Sequence, residues 1–266
     1  MTLLPSTAQG LILDMDGVLW TDSAPIGNLP GIFSRIKELG LTVAMATNNS
    51  TRTVDQYVER LHAFGVSVEP WQVVTSSLAV ADMMKRQLPA GAPIFAIGEQ
   101  GLRDVLKAAS FELLSVEQAD RAEAVVFGVD REINFDKMRE ATLLVRAGKP
   151  FFATNPDRTF PTPRGQIPGA GAWISVIVTA TDIQPIYAGK PYPYILELAL
   201  KRINTPRETT FVVGDRLETD IAGGQSLGFP TVLVLSGIST LTQAQNWTPR
   251  VNIIAENLAD LVGANS

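Results

Sequence analysis

The stretch Gly10-Leu11-Ile12-Leu13-Asp14-Met15-Asp16-Gly17 decides how the rest of the chain is read. A short apolar run reads as a buried strand, and it ends in two carboxylates and a glycine. In a strand, residues i and i+2 point to the same side, so Asp14 and Asp16 share one. In open α/β sheets ligands bind beyond the carboxyl ends of the strands, which is where these acids stand. Two like charges this close are costly unless a cation lies between them or one carries a proton. The pair reads as a nucleophile and an acid/base group around a divalent metal. The plainer alternative is a tight turn with solvated acids.

Outward from this stretch, strand-like and helix-like segments alternate, which argues for an α/β architecture with parallel sheets. Helices are expected at 29–39, 54–64 and 77–87, with strands at 41–47 and 73–74. His62 falls four residues after Val58, so it is expected on the packed face of its helix. The stretch 88–93 (LPAGAP) reads as a linker. Beyond it the alternation restarts, with strands at 94–97, 124–127 and 150–153 and helices at 102–109, 135–147 and 172–180. Residues 159–171 are rich in proline and glycine and read as a loop. The last third returns to strands at 186–188, 210–213 and 231–235 and helices at 194–203 and 221–227. The expected organisation is an outer unit, 1–87 plus 185–266, interrupted by an inserted unit, 88–184.

Three more strand ends carry polar groups. Thr47-Asn48-Asn49-Ser50 offers neutral donors that can hold a phosphoryl group or cap the next helix. Lys190 lies in Gly189-Lys190-Pro191, where the proline keeps it out of a helix. It is either a surface lysine or a charge partner for a ligand. It is not part of a P-loop, because Gln184 and Pro191 stand where that motif needs glycine and a hydroxyl residue. In Gly214-Asp215-Arg216-Leu217-Glu218-Thr219-Asp220, Asp215 ends a strand and Asp220 is expected in the first turn of a helix capped by Thr219. Asp220 has a structural alternative as a partner of the helix dipole; Asp215 has none.

The 266 residues contain no cysteine and one histidine. Thiolate metal sites, disulfides, cysteine nucleophiles and multi-histidine centres are therefore excluded. A net charge of −5 gives no reason to expect nucleic acid as a partner. Residues 1–9 lack the basic residues of a secretory signal, and no apolar run approaches ~20 residues, so a cytoplasmic protein with no membrane partner is expected. Gly224-Gln225-Ser226-Leu227-Gly228 matches a nucleophile elbow in letters only, since no strand precedes it and no histidine follows.

The stretches DMDGVLW, ATNNS, GKP and GDRLETDIAGG, in that order, resemble the motifs of the haloacid dehalogenase (HAD) superfamily, in its subfamily IIA or NagD-type branch. That resemblance implies a Rossmann-like core with an inserted α/β cap, and a magnesium-dependent phosphatase acting on a small phosphomonoester such as a nucleotide or sugar phosphate. It implies that Asp14 takes the phosphoryl group as an aspartyl-phosphate and that Asp16 acts as acid and then base. Magnesium would be held by Asp14, the Asp16 carbonyl and Asp215, with Asp220 supporting its water shell. Thr47, Asn48 and Asn49 would bind phosphoryl oxygens, and Lys190 would offset their charge. Arg158, Phe160 and Arg164 on the 155–171 loop are candidates for reading the rest of the substrate, with a solvated loop as the alternative. Members of the branch often pair through the cap, so the resemblance leaves room for a homodimer there, while the residues themselves leave the oligomeric state open. The rivals are a phospho-acceptor receiver module and a phosphomutase; Asp16, which would hydrolyse the acyl-phosphate, favours turnover.

Overall fold

The computed structural model describes residues 2–162 and 164–264, and they form two compact units. The first takes in the chain up to residue 47, then 55–74, then everything from 195 onward. Its six-stranded sheet has the order Ile253–Ala255, Thr231–Val234, Thr210–Gly214, Gly10–Leu13, Thr42–Thr47 and Val73–Thr75. The central strand Gly10–Leu13 is buried along its length, and its neighbours run parallel to it. Burial of that kind suits a run with no polar side chain.

The parallel register positions the polar groups. Leu13 pairs with Val213 on one side and with Met45 on the other. Asp14 therefore leaves the sheet beside Gly214-Asp215, and Thr47 stands at the same edge. Leu217–Ile221 follows as one wide π-helical turn and Ala222–Ser226 as a short α-helix. The expected cap by Thr219 is not what forms. Asp220 sits inside the wide turn, where the Thr219 hydroxyl donates to its Oδ2 at 3.3 Å.

The second unit comprises 48–54 and 75–194. Its five-stranded parallel sheet has the order Ile186–Tyr187, Phe151–Ala153, Ala124–Phe127, Pro93–Ile97 and Glu112–Leu113. One core joins Phe95, Val125, Phe127 and Phe151 on these strands with Leu144 and Ile174 on the helices Phe135–Arg146 and Ala170–Thr181. The expected insert, 88–184, lies within this unit, but the unit is wider. Ile186–Tyr187, read as a strand of the outer unit, pairs instead with Phe151–Ala153. Residues 48–54 join through polar bonds: Ser76 Oγ and Asn155 Nδ2 donate to the Asn48 carbonyl at 2.6 and 2.7 Å, and Gly101 N donates to the Thr51 carbonyl at 3.2 Å. Such long-range bonds leave no local pattern, so composition placed the border at the linker.

Two further expectations are corrected. The 159–171 stretch is not all loop: Thr159–Thr162 and Gly165–Pro168 pair as an antiparallel hairpin, and the helix starts at Ala170. A two-stranded ribbon has only edges, where proline is tolerated. His62 is exposed; its helix, Val54–Ala63, buries Tyr57 and Leu61 instead. No helix of the described residues is long and apolar enough to cross a membrane.

Candidate active site

In the first unit, one carboxylate oxygen from each of Asp14, Asp215 and Asp220 lies within 4.8 Å of the other two. Asp215 and Asp220 are 1% exposed and Asp14 is half-buried. Their positions follow from the strand register and the wide turn. Asp215 Oδ2 accepts from Ile238 N at 2.8 Å, and Asp220 Oδ2 from Arg216 N at 3.2 Å. These bonds fix the direction of both carboxylates.

The surrounding backbone is cut to fit. Gly17 has φ +84°, a conformation other residues rarely adopt, and a Cβ on it would lie 2.5 Å from Asp215 Oδ2. A Cβ on Gly237 would come within 2.0 Å of the same oxygen. Three acids gathered away from water repel one another unless a cation joins them. An all-oxygen donor set is what magnesium takes, commonly retaining several waters. The residues present fit that ion.

Asp16 is not one of the three. It is half-buried, and its Oδ1 accepts from the indole Nε1 of the fully buried Trp20 at 2.9 Å. Trp20 is in turn covered by the Arg60 guanidinium, 4.2 Å from its ring centroid. Thr47 is buried at the end of its strand.

Asn48, Asn49, Lys190, Arg158 and Arg164 belong to the second unit. Lys190 is 2% exposed, not a surface lysine. Tyr187 and Tyr192 bracket its turn, stacked with centroids 4.9 Å apart. Burial, then the neighbouring Tyr192, pushes the Tyr187 hydroxyl up to about 12, so it stays protonated. Asn49 Oδ1 accepts from Thr51 N and Thr51 Oγ1 at 3.0 and 2.8 Å. Arg158 and Arg164 are exposed, and Phe160 packs partly on the second core.

The reading by residue type put Asn48 among the phosphoryl-binding groups; its amide N–H groups donate to the Lys190 carbonyl at 2.9 Å and to Asp157 Oδ1 and Oδ2 at 3.1 and 3.2 Å, so any such contact falls to its main chain. The side chain has no donor left for a ligand. The reading by residue type also missed Trp20, Asn155 and Asp157. Asp157 contacts a residue 109 positions away, and nothing in its own neighbourhood marks it.

Carboxylates converging at the ends of parallel strands define a class of α/β enzymes that work through acids and a hard cation. Comparison with known proteins narrows the class. Residues 11–112 match the model of the haloacid dehalogenase-like hydrolases, and 187–261 match a second, HAD-hydrolase-like model. An acid sugar phosphatase of Staphylococcus aureus is 35% identical over 238 residues, 90% of each chain. The p-nitrophenyl phosphatase from Archaeoglobus fulgidus superposes with a TM-score of 0.90 at 35% identity, over 97% of this chain and 99% of that one. A glycerol phosphate phosphatase from Mycobacterium tuberculosis, solved in complex with magnesium, gives 0.88 at 31% identity, over 97% and 78%. The chain belongs to the haloacid dehalogenase-like hydrolases, in the NagD and p-nitrophenyl phosphatase branch, and is a phosphoric monoester hydrolase.

Proposed function

We propose that the protein hydrolyses a small phosphomonoester through an aspartyl-phosphate on Asp14, with magnesium as its metal. The observation that carries this reading is the convergence of Asp14, Asp215 and Asp220 to within 4.8 Å. An Asp14 oxygen attacks phosphorus as the bond to the ester oxygen breaks. Asp16 gives that oxygen its proton. Once the alcohol has left, Asp16 takes a proton from the water that attacks the acyl-phosphate, releasing phosphate and restoring Asp14. Its bond from Trp20 fixes one carboxylate oxygen and leaves the carboxylate plane oriented. Asp14, Asp215 and the Asp16 carbonyl would hold the metal, with Asp220 behind them. Bound magnesium supplies positive charge to the phosphoryl oxygens, the main requirement of phosphoryl transfer. Thr47, Asn49 and the main chain of Asn48 bind those oxygens, and Lys190 offsets their charge.

The insert acts as the cap that sets specificity, with Arg158, Phe160 and Arg164 as its reading groups. The similarity to an acid sugar phosphatase and a glycerol phosphate phosphatase supports a small polyol or sugar phosphate, with nucleotides in the same test. We also propose a homodimer through the insert. Phe135 is 79% exposed and lies with Leu143 and Val176 on one apolar face of its two helices. The test of the activity is phosphate release from p-nitrophenyl phosphate and a panel of phosphomonoesters, with and without a chelator. No release with magnesium, manganese or cobalt would sink the reading.

A further inference from the structure

We infer that Asn48 and Asp157 are positioning residues for Lys190, acting together as a clamp on its main chain. The inference rests on Lys190 serving phosphoryl transfer as proposed above. Asn48 Oδ1 accepts from Lys190 N at 2.7 Å while Asn48 Nδ2 donates to the Lys190 carbonyl at 2.9 Å. One side chain thus grips both polar groups of one residue, as a neighbouring strand would, across 142 positions of sequence. The Lys190 turn is otherwise part of no regular ladder.

Asp157 decides which way round the amide sits. The two ends of a carboxamide have the same shape, but an ionised carboxylate only accepts hydrogen bonds. It faces Asn48 Nδ2 with both oxygens, at 3.1 and 3.2 Å. A flipped amide would set Oδ1 against that carboxylate and against the Lys190 carbonyl, and would set Nδ2 against the Lys190 N–H. All the contacts would fail together. Asn48 is 9% and Lys190 2% exposed, and in so dry a place unmade polar contacts are costly.

Each member of the clamp is itself fixed. Asp157 N donates to Asn155 Oδ1 at 3.0 Å, and the Asp157 carbonyl accepts from Gly171 N at 2.8 Å. The Asn48 carbonyl is held by Ser76 and Asn155. Gly189 lets the two segments approach, since a Cβ there would lie 2.5 Å from Asn48 Oδ1. Lysine carries its charge on a flexible four-carbon stem. Fixing its main chain fixes where that stem begins, and small displacements of a charge in a catalytic site are expensive in rate.

The test crosses Asn48→Asp and Asp157→Asn separately with Lys190→Met and reads kcat and KM on p-nitrophenyl phosphate, with thermal unfolding to follow the fold. Each substitution should lower kcat roughly 10- to 100-fold in the native background, with KM moving much less. In the Lys190→Met background each should cost little more, because the group it positions is gone. Asp157→Asn keeps its shape and acts on the Asn48 amide through both of its oxygens, so it decides the question if Asn48→Asp does not fold. Equal losses in both backgrounds would overturn the inference, since the residues would then act independently of the lysine. Full activity in Lys190→Met alone would instead overturn the proposed role of Lys190, a separate failure that takes the clamp's purpose with it.

Discussion

Asp14→Asn removes the proposed nucleophile, and an amide cannot replace it, so turnover on p-nitrophenyl phosphate should vanish in a steady-state assay. Asp16→Asn keeps the main-chain carbonyl but loses proton transfer, a loss of typically ~10²–10⁴-fold. With so good a leaving group the first step needs little acid help, so phosphoenzyme should build up in this variant. If borohydride traps none, Asp16 is not the base. Gly17→Ala tests the cradle: the new Cβ meets Asp215 Oδ2 at 2.5 Å on a backbone that strains any side chain. Calorimetry should show magnesium binding lost or severely weakened in a protein that still unfolds cooperatively. At this scale Asp14 and Asp215 were legible because each closes an apolar run. The contacts of the Asn48 side chain were not legible, because a side chain's distant partners are not written beside it.

Strand ends are the elements that hold the candidate site, and their legibility came from contrast: GLIL before Asp14 and TFVV before Gly214-Asp215 leave little alternative to a buried strand. The Thr159–Pro168 hairpin shows the opposite case. Its prolines hid it, and its second strand is exposed throughout. An exposed ribbon with Arg158 beside it and Arg164 at its turn should affect recognition more than stability. Arg158→Ala and Arg164→Ala are expected to lower kcat/KM for the best natural phosphomonoester while leaving that for p-nitrophenyl phosphate nearly unchanged, with unfolding temperatures within about a degree or two of native, as for ordinary surface changes. Parallel losses on both substrates would remove these arginines from specificity.

For the whole molecule, a cation bound at the proposed carboxylate site must stabilise the folded state by mass action. Magnesium at ~100 times its Kd should add about 2.7 kcal/mol, seen as a rise in Tm. Asp215→Asn and Asp220→Asn should each shrink that rise, and a chelator should abolish both it and turnover. A rise unchanged in both variants would place the metal elsewhere. Excising 88–184, the insert as composition bounds it, would remove four of the five strands of the second sheet and strand Ile186–Tyr187 without a partner. It would also take away Asn155 and Asp157, which hold Asn48. That protein should be poorly soluble and lack turnover, by light scattering and by assay.

What the sequence determined by itself is what depends on near neighbours. Alternating segments with apolar strands dictated the α/β class, and acids placed directly after two such strands dictated where a cation would be sought. Those signals are local because a strand's burial and its last residue are both properties of a few consecutive positions. Only the tertiary structure decided which segments share a sheet, that Asp220 faces inward from a wide turn, and that Asn48 grips Lys190 while Asp157 holds Asn48. Hydrogen bonds spanning 109 and 142 residues exist only once the backbone has brought their ends together, and no periodicity records them in advance.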